Sequence, residues 1–203
     1  MLEAARKLDI KKFCYISTDE VYGQIMEGEF TETSPFAPRS PYAASKAAGD
    51  LLALSWATTF GLPVVVTRSG NNFGPNQYPE KLIPFFIARA LEGRPLPLYG
   101  DGKHVRDWIF VEDHCRALDL CMRNGAPGEA YNISAGNTRS NRAVAELILA
   151  LVGNQRSRIV AVADRPGHDR RYALDAAKIR KELGWRPTER FEDALAGTAR
   201  WYR

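Results

Sequence analysis

The chain has 203 residues, of which 45% are hydrophobic and 26% charged, a composition typical of a globular protein. The net charge is only +4, and no nucleic-acid-binding motif occurs, which argues against a nucleic-acid partner. No apolar run reaches the length of about 18 residues that a membrane span needs, and the N-terminus lacks an apolar signal core, so a cytoplasmic protein without membrane contact is predicted. The three cysteines form no CxxC pair and are predicted to be reduced, and no histidine spacing suggests a metal site.

The predicted elements alternate between helices and strands along the chain. Helices are predicted at 2–9, 41–60, 80–92, within 105–125, 140–153, 175–183 and 191–202. Strands are predicted at 11–17, 63–69, 96–100, at the start of 105–125, at 129–134 and at 158–163. Long loops are predicted at 18–39 and around 165–172. This alternation favours an α/β fold built on a parallel sheet, with a smaller lobe that begins near residue 70.

The helix after residue 40 has the clearest boundaries. Ser40 is a good N-cap, and Pro41 is compatible with the first helical position because its missing N–H would be unpaired there anyway. Gly61 and Pro63 then end the helix before an apolar run, PVVVTRS. The sequence therefore predicts a capped helix that leads directly into a buried strand.

Two acidic residues, Asp19 and Glu20, stand directly after the apolar strand 11–17, in the segment STDEVYG. Ligands of parallel α/β sheets bind at the carboxyl ends of the strands. Two carboxyl groups this close repel each other when both are charged, so the pKa of one is expected to rise, which suits a general acid beside a general base. A solvated acidic turn is the simpler alternative, but other acid–base residues accompany the pair.

A second pair, Tyr42 and Lys46, occurs in YAASK at the start of the capped helix. The spacing i, i+4 places both side chains on the same helix face. A free tyrosine titrates near pH ~10, and a nearby ammonium lowers that pKa, so the pair can supply a phenolate that accepts a hydroxyl proton. The spacing alone is common by chance, and its alternative is a solvated lysine beside a half-buried tyrosine. The position of the pair on a capped helix after a buried strand favours the acid–base role over this alternative.

Five segments together resemble the nucleotide-sugar 4,6-dehydratases of the extended short-chain dehydrogenase/reductase superfamily, above all those that act on dTDP-glucose. They are STDEVYG, SPYAASK, NNFGPNQYPEKLIP, PLPLYGDGKHVRDWIFVEDH and ADRPGHDRRYALD. The resemblance implies a partial Rossmann-like parallel sheet that lacks its first strands, plus a smaller C-terminal α/β substrate lobe. Residues 1–70 would be the C-terminal part of the NAD-binding domain with the catalytic residues. Residues 71–203 would form mainly the nucleotide-sugar lobe, with some segments that return to the sheet.

The resemblance also implies a lyase that holds NAD, oxidises C4 of the hexose, eliminates water between C5 and C6, and reduces C6. Tyr42 would take the 4-hydroxyl proton, and Lys46 would lower the pKa of Tyr42 and bond the nicotinamide ribose. Thr18 would bond the C4 oxygen. Glu20 would remove the C5 proton as general base, and Asp19 would protonate the departing C6 hydroxyl. The implied cofactor-binding residues are Ser17, Tyr42 and Lys46.

The nucleotide end of the substrate needs cations and an aromatic surface. The resemblance implies, besides Thr18, these substrate-binding residues: Asn71, Lys81, Tyr99, Arg106, Asn132, Arg165 and His168. Arg106 and Arg165 suit a diphosphate because a guanidinium bonds two phosphate oxygens at once, although plain surface arginines are the rival explanation for each. Tyr99 would stack on the base or simply pack. A homodimer is implied as well, with the SPYAASK helix in its interface.

The sequence departs from the family pattern at the dinucleotide fingerprint. No Gly-rich turn of the required spacing is found, nor an acidic residue about 20 residues after one. At roughly 30 residues per βαβ unit, about 100 residues of the pattern would be missing, so an N-terminal truncation is predicted. We therefore expect the chain alone to lose most contacts with the adenosine half of NAD and to be inactive.

Two other functions remain open at this point. A nucleotide-sugar epimerase or decarboxylase would share Tyr42 and Lys46 but has no need of the Asp19–Glu20 pair. A non-catalytic nucleotide-sugar-binding fragment would explain the missing fingerprint.

Overall fold

The computed structural model describes residues 1–203, which form seven α-helices and eight strands. The helices are α1 (Leu2–Lys7), α2 (Pro41–Phe60), α3 (Leu82–Leu91), α4 (Val111–Asn124), α5 (Asn141–Val152), α6 (Ala177–Leu183) and α7 (Phe191–Trp201). The strands are β1 (Phe13–Thr18), β2 (Val64–Ser69), β3 (Asn71–Phe73), β4 (Leu96–Tyr99), β5 (Val105–Phe110), β6 (Ala130–Ile133), β7 (Thr138–Ser140) and β8 (Ile159–Val162). No helix has both the length and the apolar character that crossing a membrane requires.

The first sheet has the order β1-β2-β6, and all its strands are parallel. Every residue of the central strand β2 is buried, because helices cover both faces of the sheet. Val64 and Val66 point to the side of α1 and α2, whereas Val65 packs with residues of α4 and α6 on the other side. The β1–β2 register aligns Thr18 with Ser69, so both strands deliver their last residues to one edge.

Two smaller sheets complete the fold. One has the order β3-β5-β7, and the other pairs β4 with β8. Helices α3, α5 and α7 pack with them around a core that contains Phe73, Ile87 and Ile148. Strand β6 belongs to the first sheet although it comes late in the chain, so that sheet draws on residues from both sides of position 70. The division at residue 70 itself remains a prediction.

The structure confirms the α/β class and the strong helix boundaries. The Ser40 hydroxyl accepts a hydrogen bond from the Ala43 N–H at 3.1 Å, and Gly61 ends α2 with a left-handed φ of 65°. The predicted loop 18–39 is not wholly irregular, because it opens with a 3₁₀ turn, Asp19–Tyr22. Strands β3 and β7 were not predicted, and β7 pairs antiparallel with β5, in contrast to the parallel pairing of the other strands.

Candidate active site

The site begins where β1 passes into the 3₁₀ turn. Thr18 ends the strand and caps the turn, since its Oγ1 accepts from the Glu20 N–H at 3.3 Å and donates to Oδ1 of Asp19 at 3.1 Å. Asp19 is only 3% exposed, and its second oxygen, Oδ2, has no hydrogen-bond partner. The turn therefore holds the Asp19 carboxyl almost fully buried at the wall of a cleft that its neighbour, Glu20, also lines.

The two carboxyls differ in their affinity for a proton. Burial, and after it the nearby charges of Glu20 and Asp107, raise the pKa of Asp19 to about 8. Burial also raises the pKa of Glu20, but the Arg106 and Arg165 guanidinium groups oppose that shift. At neutral pH Asp19 is thus the protonated member of the pair, as one acid of such a pair is expected to be.

Tyr42 and Lys46 lie on one face of α2 and line the same cleft as Thr18 and Glu20. The Lys46 ammonium donates to the carbonyl of Ile16 and lies 4.8 Å from the centre of the Tyr15 ring. The pKa of Tyr42 is raised by burial and then by the two carboxylates of the turn. The prediction that Lys46 lowers this pKa is therefore not met in this arrangement, because the ammonium is bonded to β1 instead of the phenol.

Two adjoining clefts meet at Glu20, Tyr42 and Lys81. The inner cleft, of about 320 Å³, is lined by Ile16, Ser17, Thr18, Asp19, Glu20, Tyr42, Lys46, Ser69, Gly70, Asn71, Asn72, Gln77, Lys81 and His114. The outer cleft, of about 450 Å³, is lined by Glu20, Ser40, Tyr42, Lys81, Arg165, Pro166, Gly167, Asp169 and Tyr172. The structure thus brings together nine of the residues proposed from sequence, from β1, α2, β3 and two loops.

The inner cleft carries polar atoms without partners in the chain. The Ser17 hydroxyl, Oδ1 of Asn72 and Oε1 of Gln77 are buried and make no hydrogen bond. His114 was not found by sequence reasoning; burial lowers its pKa to about 4, so its imidazole is neutral, and its Nε2 is also unpaired. Unpaired buried groups of this kind are costly and need an explanation, and a bound polar ligand is one.

Arg106 is placed behind the outer cleft and does not line it. Its side chain is 4% exposed, its Nη2 donates to the Asp169 carbonyl at 2.8 Å, and its guanidinium lies 4.3 Å from the centre of the Tyr172 ring. Because Asp169 and Tyr172 form the cleft wall, Arg106 contributes positive charge from beneath it. Arg165, in contrast, is a lining residue, so the two guanidiniums approach the cleft differently.

Tyr99 lies in a third, largely apolar pocket of about 250 Å³. Its other lining residues are Glu80, Leu82, Phe85, Phe86, Pro97, Leu98 and Asn141. The ring of Tyr99 is 49% exposed and meets the His168 ring edge-on at 6.2 Å. An exposed aromatic ring beside an apolar floor suits a stacked planar ligand.

Asn132 does not reach any of these clefts. It is fully buried in β6, where its Nδ2 donates to the Phe30 carbonyl at 2.9 Å and its Oδ1 accepts from the Tyr22 hydroxyl at 2.8 Å. Its amide groups are thus committed to bonds within the protein. Asn141, in contrast, lines the apolar pocket beside Tyr99, and its Oδ1 is buried without a partner. Sequence reasoning missed it because no pattern separates the two asparagines.

Comparisons with known proteins agree on one family. Residues 1–198 match the family model described as GDP-mannose 4,6 dehydratase. A dTDP-glucose 4,6-dehydratase of Xanthomonas campestris pv. campestris is 52% identical over 204 residues, with 96% of this chain and 58% of that protein covered. The low-salt glycan biosynthesis protein Agl12 of Haloferax volcanii is 54% identical over 202 residues, with 100% of this chain and 65% of that protein covered.

Solved structures show the same likeness. The crystal structure of dTDP-glucose 4,6-dehydratase from Bacillus anthracis in complex with NAD superposes with a TM-score of 0.95 at 50% identity. The superposition covers 99% of this chain and 64% of that one. The chain therefore spans about three fifths of the length of the curated relatives it matches.

Proposed function

Since the chain belongs to the family described as GDP-mannose 4,6 dehydratase, we propose that its residues perform the dehydration of a nucleotide-activated hexose, dTDP-glucose, with NAD as cofactor. The product is the 4-keto-6-deoxy sugar, and the reaction class is that of a lyase. The observation that carries this proposal is the unequal pair at the end of β1. Asp19 is buried and protonated, whereas Glu20 faces the cleft.

The inner cleft suits the nicotinamide riboside end of NAD. The Ser17 hydroxyl and the Asn72 amide oxygen are buried there without partners, and Tyr42 and Lys46 stand at the same wall. A hydroxyl, an amide, a phenol and an ammonium match the carboxamide and the ribose diol of that group. Ser17, Tyr42 and Lys46 would hold it. When bound, NAD supplies the hydride acceptor for C4 and the hydride donor for C6.

The oxidation at C4 requires that the 4-hydroxyl lose its proton, and Tyr42 is placed to accept it. Tyr42 is 55% exposed at the cleft, and its pKa is raised by burial and then by the two carboxyl groups of the turn. The phenol therefore needs a nearby positive charge to work as a base. Lys46, one turn further along α2, supplies that charge once its ammonium turns from the Ile16 carbonyl toward the cleft. Thr18 would hydrogen-bond the oxygen being oxidised.

The elimination follows from the acidity of the proton next to the new ketone. Glu20 takes the C5 proton, the electrons of that bond form the C5–C6 double bond, and the C6–O bond breaks. Asp19 gives its proton to the departing oxygen, which leaves as water. One group must be ionised and the other protonated at the same time, and their different burial provides that difference at neutral pH.

The outer cleft and the apolar pocket would hold the nucleotide. Arg165 and Lys81 line the outer cleft, with Arg106 beneath its wall, and cations in this number suit a diphosphate. Tyr99 borders the apolar pocket, where a base would stack. An epimerase would use Tyr42 and Lys46 equally well, but it gives no role to a buried, protonated Asp19.

We also propose a homodimer with α2 in its interface. Leu51, Leu52 and Phe60 on this helix are 59%, 56% and 52% exposed, which is unusual for three large apolar side chains on one element. Replacing Leu51 and Leu52 with glutamate should shift the chain from dimer to monomer in sedimentation velocity. A chain that is monomeric without the substitutions would contradict this interface.

The elimination residues can be tested without any hydride transfer. The 4-keto-6-deoxy product, presented as its dTDP ester to the full chain in D₂O, should exchange its C5 proton for deuterium, because the ketone acidifies that position. Glu20→Gln should abolish the exchange, and mass spectrometry measures it directly. Asp19→Asn should leave it largely intact, because no C6 oxygen departs in this reaction.

Two results would contradict the assignment of Glu20. One is exchange at the same rate in Glu20→Gln as in the unchanged chain. The other is binding of the dTDP sugar, checked by calorimetry, with no exchange above the rate without protein. That second result would favour the nucleotide-sugar-binding alternative. With NAD and dTDP-glucose present, the mass of any product separates dehydration, which loses water, from epimerisation, which changes no mass.

A further inference from the structure

Two histidines far apart in the sequence share one carboxylate. His168 Nδ1 lies 2.7 Å from Oδ1 of Asp164, and His104 Nε2 lies 3.3 Å from Oδ2 of the same group. The two imidazole rings stack at 3.7 Å with an angle of 13° between their planes. The histidine side chains are 5% and 3% exposed, whereas the Asp164 side chain is 39% exposed, so two buried rings share a carboxylate that meets solvent.

The ring orientation fixes where the protons lie. Since the carboxylate only accepts, His168 donates its Nδ1–H to Asp164, whereas His104 Nε2 lies near the second oxygen without forming a hydrogen bond. Nearly parallel rings at this spacing cannot both hold one metal ion in their planes, so the cluster is better described as a clasp, in which two stacked rings meet one carboxylate. His104 Nδ1 is buried without a partner, and the bond from Nδ1 to Asp164 leaves Nε2 as the nitrogen of His168 that can meet a ligand.

The clasp lies between the two proposed nucleotide subsites. The His168 ring meets the edge of Tyr99, which borders the apolar pocket. Asp164 and His168 flank Arg165, which lines the outer cleft. Gly100 packs directly against the clasp, because a Cβ at this position would lie 3.0 Å from Oδ2 of Asp164.

Burial favours the neutral form of both rings. Burial lowers the pKa of both His104 and His168, and the Asp164 carboxylate opposes this shift. The remaining charged groups that act on the two rings are Arg106, Arg165, Arg170 and Asp101. Asp101 is itself paired with Arg170 in a bidentate contact at 2.8 Å, so the arginines Arg106 and Arg165 are left without equivalent carboxylate partners.

We propose that His168 takes up a proton at Nε2 when a nucleoside diphosphate sugar binds, and that His104 is the positioning residue that makes this possible. The inference rests on the proposed function, because it needs a diphosphate beside Arg165. A bound diphosphate places negative charge next to the ring and reverses the balance that keeps it neutral. His104 stacks on the His168 ring with its Nε2 beside the second oxygen of Asp164, and so keeps the ring in place. The Nδ1–H bond to Asp164 fixes the His168 tautomer and leaves Nε2 for the ligand.

The sign of the pH dependence follows from linkage. If the complex binds more protons than the free chain, the affinity for the ligand rises as the pH falls. The increase is limited to about tenfold per pH unit for one proton, in the range between the pKa of His168 in the free chain and in the complex. Above that range both forms are neutral, and the affinity no longer changes with pH.

Calorimetry of the full chain with dTDP-glucose tests the proposal. The probe is dTDP-glucose because a free terminal phosphate titrates near pH ~6 and would add its own protons to the signal. At a pH of about 6.5, the ordinary value for histidine, the binding enthalpy in buffers of different ionisation enthalpy should report net proton uptake. His168→Asn, which keeps a donor toward Asp164, should abolish that uptake and flatten the dependence of affinity on pH.

Variants at His104 separate positioning from mere packing. His104→Gln keeps an N–H toward Asp164 and should retain the uptake, whereas His104→Leu should reduce it and move the pH midpoint. The chain has only three histidines, so the His168 imidazole resonance can be followed by NMR with His114 as an internal reference.

Binding of dTDP-glucose without proton uptake would overturn the inference and leave the proposed function intact. Uptake that persists in His168→Asn would overturn it as well, since the proton would then go elsewhere. Failure of dTDP-glucose to bind at any pH would overturn both the nucleotide site and the inference.

Discussion

Arg68 on β2 and Asp50 on α2 form a buried bidentate ion pair. The guanidinium Nε and Nη2 donate to the two carboxylate oxygens at 2.8 and 2.9 Å, and the side chains are 2% and 0% exposed. The remaining nitrogen, Nη1, donates to the Tyr22 hydroxyl at 2.7 Å. Tyr22 belongs to the turn that carries Asp19 and Glu20, so this pair ties α2 to that turn.

Removing one partner of this pair should be costly. Arg68→Leu leaves the Asp50 carboxylate buried and uncompensated, and we expect a loss of about 3–5 kcal/mol in the free energy of unfolding. Urea unfolding followed by circular dichroism measures it. Arg123→Leu is the matched control, because its partner Asp119 is exposed and the pair lies on the surface of α4. Equal losses in the two variants would show that the buried pair does not hold α2 in place.

The Asp19 carboxyl should lower the free energy of unfolding at high pH. Its pKa is raised from 3.8 to about 8, so the folded protein binds this proton more tightly than the unfolded chain does. The contribution to stability is present below the unfolded pKa and is lost as the pH rises through the folded value. Asp19→Asn should therefore raise the melting temperature relative to the unchanged chain near pH ~9, with little difference near pH ~4. An effect of equal size at both pH values would contradict a buried, titrating Asp19.

The sequence was sufficient for features that are local. Ser40, Pro41 and Gly61 specify the ends of α2 through capping chemistry that involves neighbours only, and the acid pair follows a strand that its own residues predict. Features that depend on distant pairing were not accessible. Strands β3 and β7 have three residues each, too few for a periodic pattern, and exist because they pair with β5.

The sequence also does not show which group a side chain contacts. The i, i+4 spacing places Tyr42 and Lys46 on one face, but it does not reveal that the Ile16 carbonyl takes the ammonium. Likewise, His104 and Asp164 lie 60 positions apart in the chain, and only the packing of the segment before β5 against the loop after β8 brings them together. Resemblance to a family identifies the residues within each motif, but it does not show which residues of different motifs contact each other.

Gly70 connects β2 to β3 at the wall of the inner cleft, and an added methyl group should distort it. A Cβ at Gly70 would lie 2.6 Å from the Asp107 carbonyl oxygen, which is backbone and cannot rotate away. Gly70→Ala should lower both the melting temperature and the rate of C5 exchange, because Ser69 and Asn71 would shift with the turn. Gly197→Ala, in α7 with its nearest neighbour at 3.7 Å, should be neutral or slightly stabilising. A stable and active Gly70→Ala variant would contradict a rigid wall.

Asn141 should determine affinity for the base, whereas Asn132 should determine stability. Asn141 lines the apolar pocket beside Tyr99 with an unpaired Oδ1, and a base such as thymine offers an N–H that this oxygen can accept. Asn141→Leu should weaken dTDP-glucose binding roughly tenfold, since the lost hydrogen bond is worth about 1–1.5 kcal/mol, with a nearly unchanged melting temperature. Asn132→Leu should do the reverse, because it removes the acceptor of the Tyr22 hydroxyl proton and one of the two donors to the Phe30 carbonyl inside the protein. Calorimetry and thermal unfolding of both variants decide the assignment, and loss of affinity in a stable Asn132→Leu protein would return Asn132 to the site.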